Sequence, residues 1–163
     1  VAYVAAKPSN YEKVLILSSD KDFIQLQKHN FVSQYSPIKK QFINGVCPHT
    51  YIKEHVLKGD RSDGVPNFLS PDNTFVDELR QRPISKRKLE TWIELEPEDF
   101  CNEDMLRNYQ RNRTLIDFNY IPDDIKQKCI NTYLDTPEGS RKHLLNYFIK
   151  NKLKSLMENI GDF

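Results

Sequence analysis

The sequence contains few cysteines and no long apolar run. Its three cysteines are Cys47, Cys101 and Cys129, and no two of them have the CxxC spacing of a redox or zinc motif. Scattered thiols are typical of a reducing compartment, and Cys47 with His49 alone gives too few ligands for a zinc site. No apolar stretch approaches the roughly 20 residues that span a bilayer, and no signal peptide is visible. We therefore expect neither a membrane protein nor a disulfide scaffold.

Charge of one sign is also not in excess, since 24 basic and 23 acidic side chains leave a net charge of +1. The overall balance therefore does not by itself indicate a polyanionic partner, but the local distribution is uneven. Basic side chains crowd residues 80–88 and recur over 141–154, whereas six acidic side chains lie within residues 94–104. Each run can simply be a solvated face, and that alternative stays open.

The composition is typical of a globular domain, with 38% hydrophobic and 29% charged residues among 163. The chain begins with VAYVAAKPSN, which has no initiator methionine and reads as the last turns of a helix ended by Pro8 and Asn10. We therefore expect the chain to be part of a longer protein.

Two parts of the chain differ in hydrophobic periodicity. KVLILSSD predicts a strand buried on both faces, as in a parallel sheet, and DKDFIQLQKH has helical spacing. The short strands FVSQYSP and KQFING precede a helix that ends near Gly59. We predict an α/β fold class, with residues 1–58 in an α/β core and residues 59–163 in a helical region. The later helices are expected over about 72–80, 85–94, 97–107, 109–116, 123–135, 139–151 and 153–159.

The segment Ser18-Ser19-Asp20-Lys21-Asp22 directly follows the predicted buried strand. Ligands of open α/β sheets bind at the carboxyl ends of the strands, so functional side chains are expected here. The alternative is local capping, with Ser19 as the N-cap and Asp22 at N3 of the next helix.

Asp60 and Asp63 form a second acidic pair in HVLKGDRSDGVPNF, between a helix and a Gly-Val-Pro turn. A local role is open here too, because an aspartate can close an Asx-turn. If the pairs converge, four carboxylates concentrate the charge that Mg²⁺ neutralises, and two such ions can promote phosphodiester hydrolysis. We predict Asp20, Asp22, Asp60 and Asp63 as catalytic metal ligands for Mg²⁺, with Mn²⁺ as a substitute.

The segment RQRPISKRKLETW follows, and its proline turn leads into a helix that opens with Lys86 and Arg87. Such a turn offers backbone amides and cations to phosphate groups, which adds affinity that does not depend on base sequence. A solvated charge run is again the alternative. We predict nucleic-acid contacts from Lys58, Arg61, Gly64, Lys86, Arg87 and Lys88.

The stretches VLILSSDKDFIQL and LKGDRSDGVPNF resemble the paired motifs of the flap endonuclease and 5′-to-3′ exonuclease family. Within it, QYSPIKKQF, LIDFNYIPDDI and ENIGDF are most similar to the ribonucleases H of T-even-type phages. The resemblance extends over essentially the whole chain, but only over the C-terminal part of such a protein. It implies a parallel-sheet, PIN-like nuclease core and a helix–three-turn–helix motif that grips duplex backbone over residues 59–95.

The resemblance also implies residue roles. The four aspartates complete a two-Mg²⁺ site, with Asp22 and Asp63 most closely tied to the second ion, and Lys86 falls where the family has a lysine that opens a helix. The family's glycine-rich turn is replaced by PISKRKL, and its N-terminal carboxylates and arch region have no counterpart in this chain. The fragment alone is therefore expected to be inactive.

The activity implied for the intact protein is hydrolysis near a 5′ end that leaves a 5′-phosphate and a 3′-hydroxyl. Its implied substrates are RNA primers on DNA, 5′ flaps and nicked duplex, in the cytoplasm of an infected bacterial host. The phage relatives work with a single-stranded-DNA-binding protein. We expect the C-terminal helices, with Lys150, Lys152 and Lys154, to contact that partner.

Two other functions fit parts of the pattern. A haloacid-dehalogenase-type phosphohydrolase has an Asp-x-Asp after a strand, with the first aspartate as a covalent nucleophile. Against it, KGDRSD follows a helical pattern, the two motifs are close together, and no separate lysine motif is present. A non-catalytic module that clamps duplex DNA would use its aspartates only as caps, and it should bind forked duplex equally well with Mg²⁺ or with chelator.

Overall fold

The computed structural model describes residues 13–136 and 141–162. These residues divide into two compact units, one that ends at Pro122 and one that begins at Asp123. The functional boundary predicted after residue 58 is a different division and stays a prediction. The helix end expected at Pro8 and Asn10 lies outside the described residues.

A three-stranded sheet opens the first unit, in the order β1 (Val14–Leu17), β2 (Val32–Ser36) and β3 (Gln41–Phe42). Strands β1 and β2 are parallel, with Val14 opposite Val32, and β3 runs antiparallel to β2. The parallel pairing predicted from the apolar run is confirmed. A single 3-10 helix, Lys21–Lys28, makes the crossover between β1 and β2.

The expectation that the first strand is buried on both faces is wrong for the described residues. Ile16 is buried, but its neighbours Leu15 and Leu17 are 56% and 67% exposed. Successive side chains of a strand point to opposite faces, so the described residues cover only the face that carries Ile16. The continuous apolar run led to too much burial being predicted for this strand. Such a run does not show whether one face of a strand is covered or both.

Seven α-helices follow the sheet within the described residues. Those of the first unit are α1 (Pro48–Lys58), α2 (Lys86–Glu94), α3 (Pro97–Phe100) and α4 (Glu103–Ile116). Those of the second unit are α5 (Asp123–Asp135), α6 (Leu144–Lys150) and α7 (Lys154–Glu158). Further 3-10 turns lie at Phe118–Tyr120, Arg141–His143 and Ile160–Asp162. The chain is thus a small mixed sheet followed by mainly helical structure, which agrees with the predicted α/β class.

The main apolar core of the first unit lies around Phe68, which is fully buried between α1, α2 and α4. The ring of Phe68 packs edge-on against Trp92 at 5.2 Å and against Phe100 at 6.0 Å between centroids. Such aromatic pairs add to the stabilisation that burial provides. A second, smaller cluster joins the sheet to its crossover and consists of Ile16, Leu26 and Val32.

A buried amide joins the elements that support the second aspartate motif. Asn112 of α4 is fully buried and donates from Nδ2 to the carbonyls of Val56 and Pro66, each at 2.8 Å. In the same unit, Gln25 donates to the carbonyl of Ile116 at 2.9 Å and accepts from the amide of Phe118. These side chains pair with backbone groups in the interior, where an unpaired carbonyl or amide is costly.

Three expected helices differ from the structure, one because it is absent and two because their boundaries have moved. Residues 72–78 form consecutive turns instead of a helix, because Thr74 bonds back to the Pro71 carbonyl and Glu78 has a positive φ of 54°. The helices expected over 97–107 and 109–116 are instead α3 and α4. The break falls at Asn102, whose side chain caps α4 by accepting from the amide of Met105 at 2.9 Å.

The second unit has the helices that the sequence predicts but little core. The expected helix 123–135 is observed with those bounds, and α6 and α7 fall within the expected helical ranges. Part of the expected helix 139–151 lies outside the described residues. Phe148 is the one buried hydrophobic side chain of this unit among the described residues.

Candidate active site

The first aspartate pair lies on the loop that leaves β1. Gln34 of β2 is fully buried and donates from Nε2 to the carbonyls of Ser18, at 3.0 Å, and Asp20, at 2.5 Å, so the neighbouring strand fixes this loop. The N-cap of the 3-10 helix is Asp20, which accepts from the amide of Asp22 at 3.0 Å. The expected capping box with Ser19 as N-cap is therefore wrong, because the Ser19 hydroxyl instead bonds the hydroxyl of Ser36.

The second aspartate pair follows α1, which ends in an unusual backbone conformation. Gly59 has φ 70° and ψ −178°, a combination that is essentially restricted to glycine. A Cβ at this position would lie 2.4 Å from the carbonyl oxygen of Val65. The chain then turns back on itself through a β-bridge between Asp60 and Val65. Asp60 closes the turn, since its Oδ1 accepts from the amides of Ser62 and Asp63, so the predicted Asx-turn is present.

Both aspartate pairs line one open cavity of about 540 Å³. The tertiary structure therefore brings together all four carboxylates that the two motifs predict. The other lining residues come from the loop after β1, from one face of α1 and from the Asp60 turn; they are Lys21, Tyr51, Glu54, His55, Lys58 and Ser62.

Sequence reasoning missed His55, which lies between the two aspartate pairs. Its Nδ1 is 3.5 Å from Oδ1 of Asp22, and its Nε2 is 3.0 Å from Oδ2 of Asp60. These three side chains form the one group of three or more potential metal ligands found among the described residues, with ligand atoms within 4.8 Å of one another. The available signal was the spacing of Tyr51, His55 and Lys58, which places all three on one face of α1.

The shared cavity changes the proton affinity of its members. Burial raises the pKa of Asp22, and the charges of Asp20, Asp60 and Asp63 raise it further, whereas His55 opposes the shift. Burial, together with the nearby carboxylates, raises the pKa of Tyr51 to about 12. Concentrated negative charge that opposes ionisation is the electrostatic condition that a bound cation relieves.

Asp60 behaves differently from Asp22. The Ser62 hydroxyl, assisted by the backbone amides of the turn and by His55, lowers the pKa of Asp60. Hydrogen bonds to a carboxylate stabilise its charged form, so Asp60 is held ionised although its side chain is only 20% exposed.

The predicted nucleic-acid residues fall into two groups. Lys58 lines the cavity and forms an ion pair with Glu54, while Arg61 and Gly64 are exposed on the Asp60 turn. The other three, Lys86, Arg87 and Lys88, occupy the exposed first turn of α2, which contains no acidic side chain. Ser85 caps this helix by accepting from the amide of Lys88.

The family model described as "T4 RNase H, C terminal" matches residues 47–163. The chain belongs to this family. It is also 33% identical, over 158 residues, to the protein named Ribonuclease H from Enterobacteria phage T4. That alignment covers 93% of this chain and 52% of the relative, so the chain spans about half the length of the curated relative that it matches.

Membership of the T4 RNase H family confirms the resemblance drawn from the paired motifs. The family match includes α1, Asp60, Asp63 and the basic first turn of α2, whereas Asp20 and Asp22 precede it and lie within the longer alignment. The phosphohydrolase alternative loses support, since the GDRSD motif follows helix α1 and not a strand. No helix among the described residues combines the length and apolar character required to cross a membrane.

Proposed function

We propose that this chain supplies the C-terminal half of a metal-dependent 5′-to-3′ nuclease of the ribonuclease H and flap endonuclease type. The observation that carries the proposal is the convergence of Asp20, Asp22, Asp60 and Asp63 on one cavity. Their motifs lie 40 residues apart in sequence, as the numbers of Asp20 and Asp60 give, and local capping alone requires no such meeting. Carboxylates that converge in this way favour the binding of a divalent ion.

The side chains present fit such an ion. Carboxylate oxygens suit Mg²⁺ and Mn²⁺, and the buried Nδ1 of His55 faces Asp22 without a hydrogen-bond partner. Asp20, Asp22 and Asp63 would offer oxygen atoms to the metal, and Asp60 and His55 line the same cavity. When bound, two ions would supply an activated water and neutralise charge on the phosphate and the leaving oxygen. The aspartates would orient the ions and the phosphate, and Lys21 and Lys58 add positive charge to the same cavity.

Nucleic acid would be gripped through the segment from α1 to α2, which we propose as the helix–three-turn–helix motif. Three cations in the first turn of α2 oppose the helix dipole, so their presence there is locally unfavourable. A phosphate bound at the start of this helix would make the three cations favourable there, because both they and the backbone amides would face its negative charge. Duplex, flap and RNA–DNA hybrid backbones all offer such phosphates. The phage role in primer and flap removal, in the host cytoplasm, belongs to the same proposal.

A non-catalytic duplex clamp is the second candidate. It is favoured by the local roles of Asp20 and Asp60, which cap the 3-10 helix and close the turn after α1. Asp63 discriminates between the two functions, since its side chain is exposed and accepts no hydrogen bond within the described residues. A clamp should therefore tolerate Asp63→Asn, whereas a metal nuclease should not.

The test joins the chain to the upstream half of the T4 relative and supplies a 5′-labelled forked duplex. Short 5′ products that appear with Mg²⁺ and disappear with chelator are expected. Asp63→Asn should reduce cleavage at least about 100-fold without weakening substrate binding. Asp99→Asn, which removes an exposed carboxylate outside the cavity, is the matched control and should cut normally. Tight binding without metal-dependent cleavage would establish the clamp instead.

A further inference from the structure

His55 occupies a position in the cavity that neither motif accounts for. It lies on the cavity face of α1, and its side chain is 16% exposed. Both ring nitrogens face carboxylates, with Asp60 on one side and Asp22 on the other. The ring therefore lies between the aspartate after the strand and the aspartate after the helix.

The carboxylate of Asp60 is held in place by hydrogen bonds from the turn and by His55. Its Oδ1 accepts from the amide of Ser62 at 2.8 Å, from the Ser62 hydroxyl and from the amide of Asp63 at 3.3 Å. Its Oδ2 lies 3.0 Å from Nε2 of His55. Both oxygens are thus engaged by protein donors, which leaves Asp60 suited to orient the imidazole.

This pairing assigns the tautomer of His55 from its hydrogen-bond network. Because a carboxylate oxygen accepts and Oδ2 of Asp60 is the nearer partner at 3.0 Å, Nε2 is the nitrogen that carries the proton and donates it. Nδ1 then presents a lone pair. It is buried, makes no hydrogen bond with the described residues, and lies 3.5 Å from Oδ1 of Asp22, another acceptor. A cation between these two acceptors would be bound by both of them.

We propose that Nδ1 of His55 and Oδ1 of Asp22 are direct ligands of one divalent ion, with Asp60 as the carboxylate that orients the histidine. Adjacent ligands with metal bonds of about 2.1 Å lie roughly 3.0–3.4 Å apart, close to the 3.5 Å observed here. A carboxylate that accepts the other ring N–H is the usual companion of a metal-binding histidine.

The proposal rests on the metal site of the proposed function and deepens it by naming the preferred ion. A nitrogen ligand favours first-row transition ions over Mg²⁺, which selects oxygen ligands. This site should therefore bind Mn²⁺, Co²⁺ or Zn²⁺ more tightly than Mg²⁺, and by a wider margin than a site built from carboxylates alone. Asp20 and Asp63 line the same cavity and offer further oxygen atoms.

The decisive measurement is pulsed electron paramagnetic resonance of Mn²⁺ bound to the whole chain at neutral pH. A directly bound imidazole nitrogen modulates the Mn²⁺ echo, and labelling histidine with ¹⁵N should shift that modulation. His55→Gln should abolish the modulation and weaken Mn²⁺ binding at least about 10-fold, with a smaller loss for Mg²⁺. His49→Gln, an exposed histidine at the start of the same helix, should behave as wild type.

Bound Mn²⁺ without nitrogen modulation in the wild-type chain would overturn the role of His55, and so would a failure to bind Mn²⁺ at millimolar concentration. Because the labelled wild-type spectrum needs no variant, a misfolded His55→Gln protein does not affect the conclusion. An all-oxygen Mn²⁺ site would leave the proposed nuclease function standing, since that function fails only if the joined protein cleaves without a divalent ion or does not cleave at all.

Discussion

The two units of the chain differ in what holds them together. The described part of the first unit buries two apolar clusters and the amides of Asn112 and Gln34. In the second unit Phe148 is the one buried hydrophobic among the described residues, while Tyr133, Leu145 and Tyr147 are about half exposed. Tertiary burial therefore fixes the backbone of the first unit, whereas local helix propensity accounts for most of the second.

This difference matters because the four aspartates of the candidate site all belong to the first unit. Carboxylates can be held together against their mutual repulsion only by a scaffold whose packing stabilises them. The second unit has exposed apolar side chains, which suit the partner contact expected from the sequence better than they suit catalysis.

The strongest test of this contrast between the two units removes the aromatic ring of Phe68 from the main apolar core of the first unit. Phe68→Ala should lower the free energy of unfolding of the first unit by about 3–5 kcal/mol, because a fully buried aromatic leaves a cavity. Tyr147→Ala, in the second unit and 59% exposed, should cost less than about 1 kcal/mol. Urea unfolding followed by the single tryptophan, Trp92, reports on the first unit. Equal losses for both variants would contradict the contrast between the units.

Gly59→Ala should cost about 2–4 kcal/mol, since the backbone conformation is unfavourable for alanine and the new Cβ would collide with the Val65 carbonyl. It should also weaken Mn²⁺ binding by displacing Asp60. Gly64→Ala is the matched control, because Gly64 has φ 75° but no atom within 4 Å of the position that a Cβ would occupy. That variant should cost about 1 kcal/mol and leave metal binding intact. Similar effects at both glycines would show that the close approach at Gly59 is unimportant.

Asp22→Asn should stabilise the metal-free first unit at pH 7, by about 0.5 kcal/mol. Burial raises the folded pKa of Asp22 above its usual value of 3.8, so ionisation costs the folded state stability as the pH rises through that window. The gain should be present at neutral pH and should vanish at a pH below 3.8, where the carboxyl is protonated in both states. Thermal unfolding at several pH values measures it.

Divalent metal should make the wild-type protein more stable than the Asp22→Asn variant, which is the reverse of their order without metal. Ligand that binds only the folded state stabilises it, so Mn²⁺ should raise the unfolding temperature of wild type and have little effect on Asp22→Asn. A variant that is less stable than wild type without metal would mean that Asp22 has a favourable structural role.

The smallest effect on the stability of the first unit is expected when basic residues of the second unit are changed. Changing Lys150, Lys152 and Lys154 together to glutamate should alter the unfolding of the first unit by less than about 0.5 kcal/mol, because all three belong to the other unit. The same variant should lose binding to the phage single-stranded-DNA-binding protein, measured by isothermal titration calorimetry. Unchanged partner binding would reject that contact.

Much of the candidate site could be predicted from sequence, because its motifs are local. SSDKD after an apolar run and GDRSDG after a helix each place their aspartates relative to one secondary-structure element. His55 could not be identified in this way, since a histidine on a helix face gains meaning only when Asp22 and Asp60 are known to lie beside it. The turns at 72–78 were missed for a similar reason, as side-chain bonds from Thr74 compete with the helix that the spacing suggests.

Periodicity and short motifs were enough to indicate the family, most of the strands and helices and the positions of the two aspartate pairs, because these depend on neighbouring residues. Other features became visible only in three dimensions: which face of β1 is covered, how Gln34 and Asn112 hold the two loops, and that His55 separates Asp22 from Asp60. Those features join residues far apart in the chain, and their energies depend on burial and distance, which no local pattern contains.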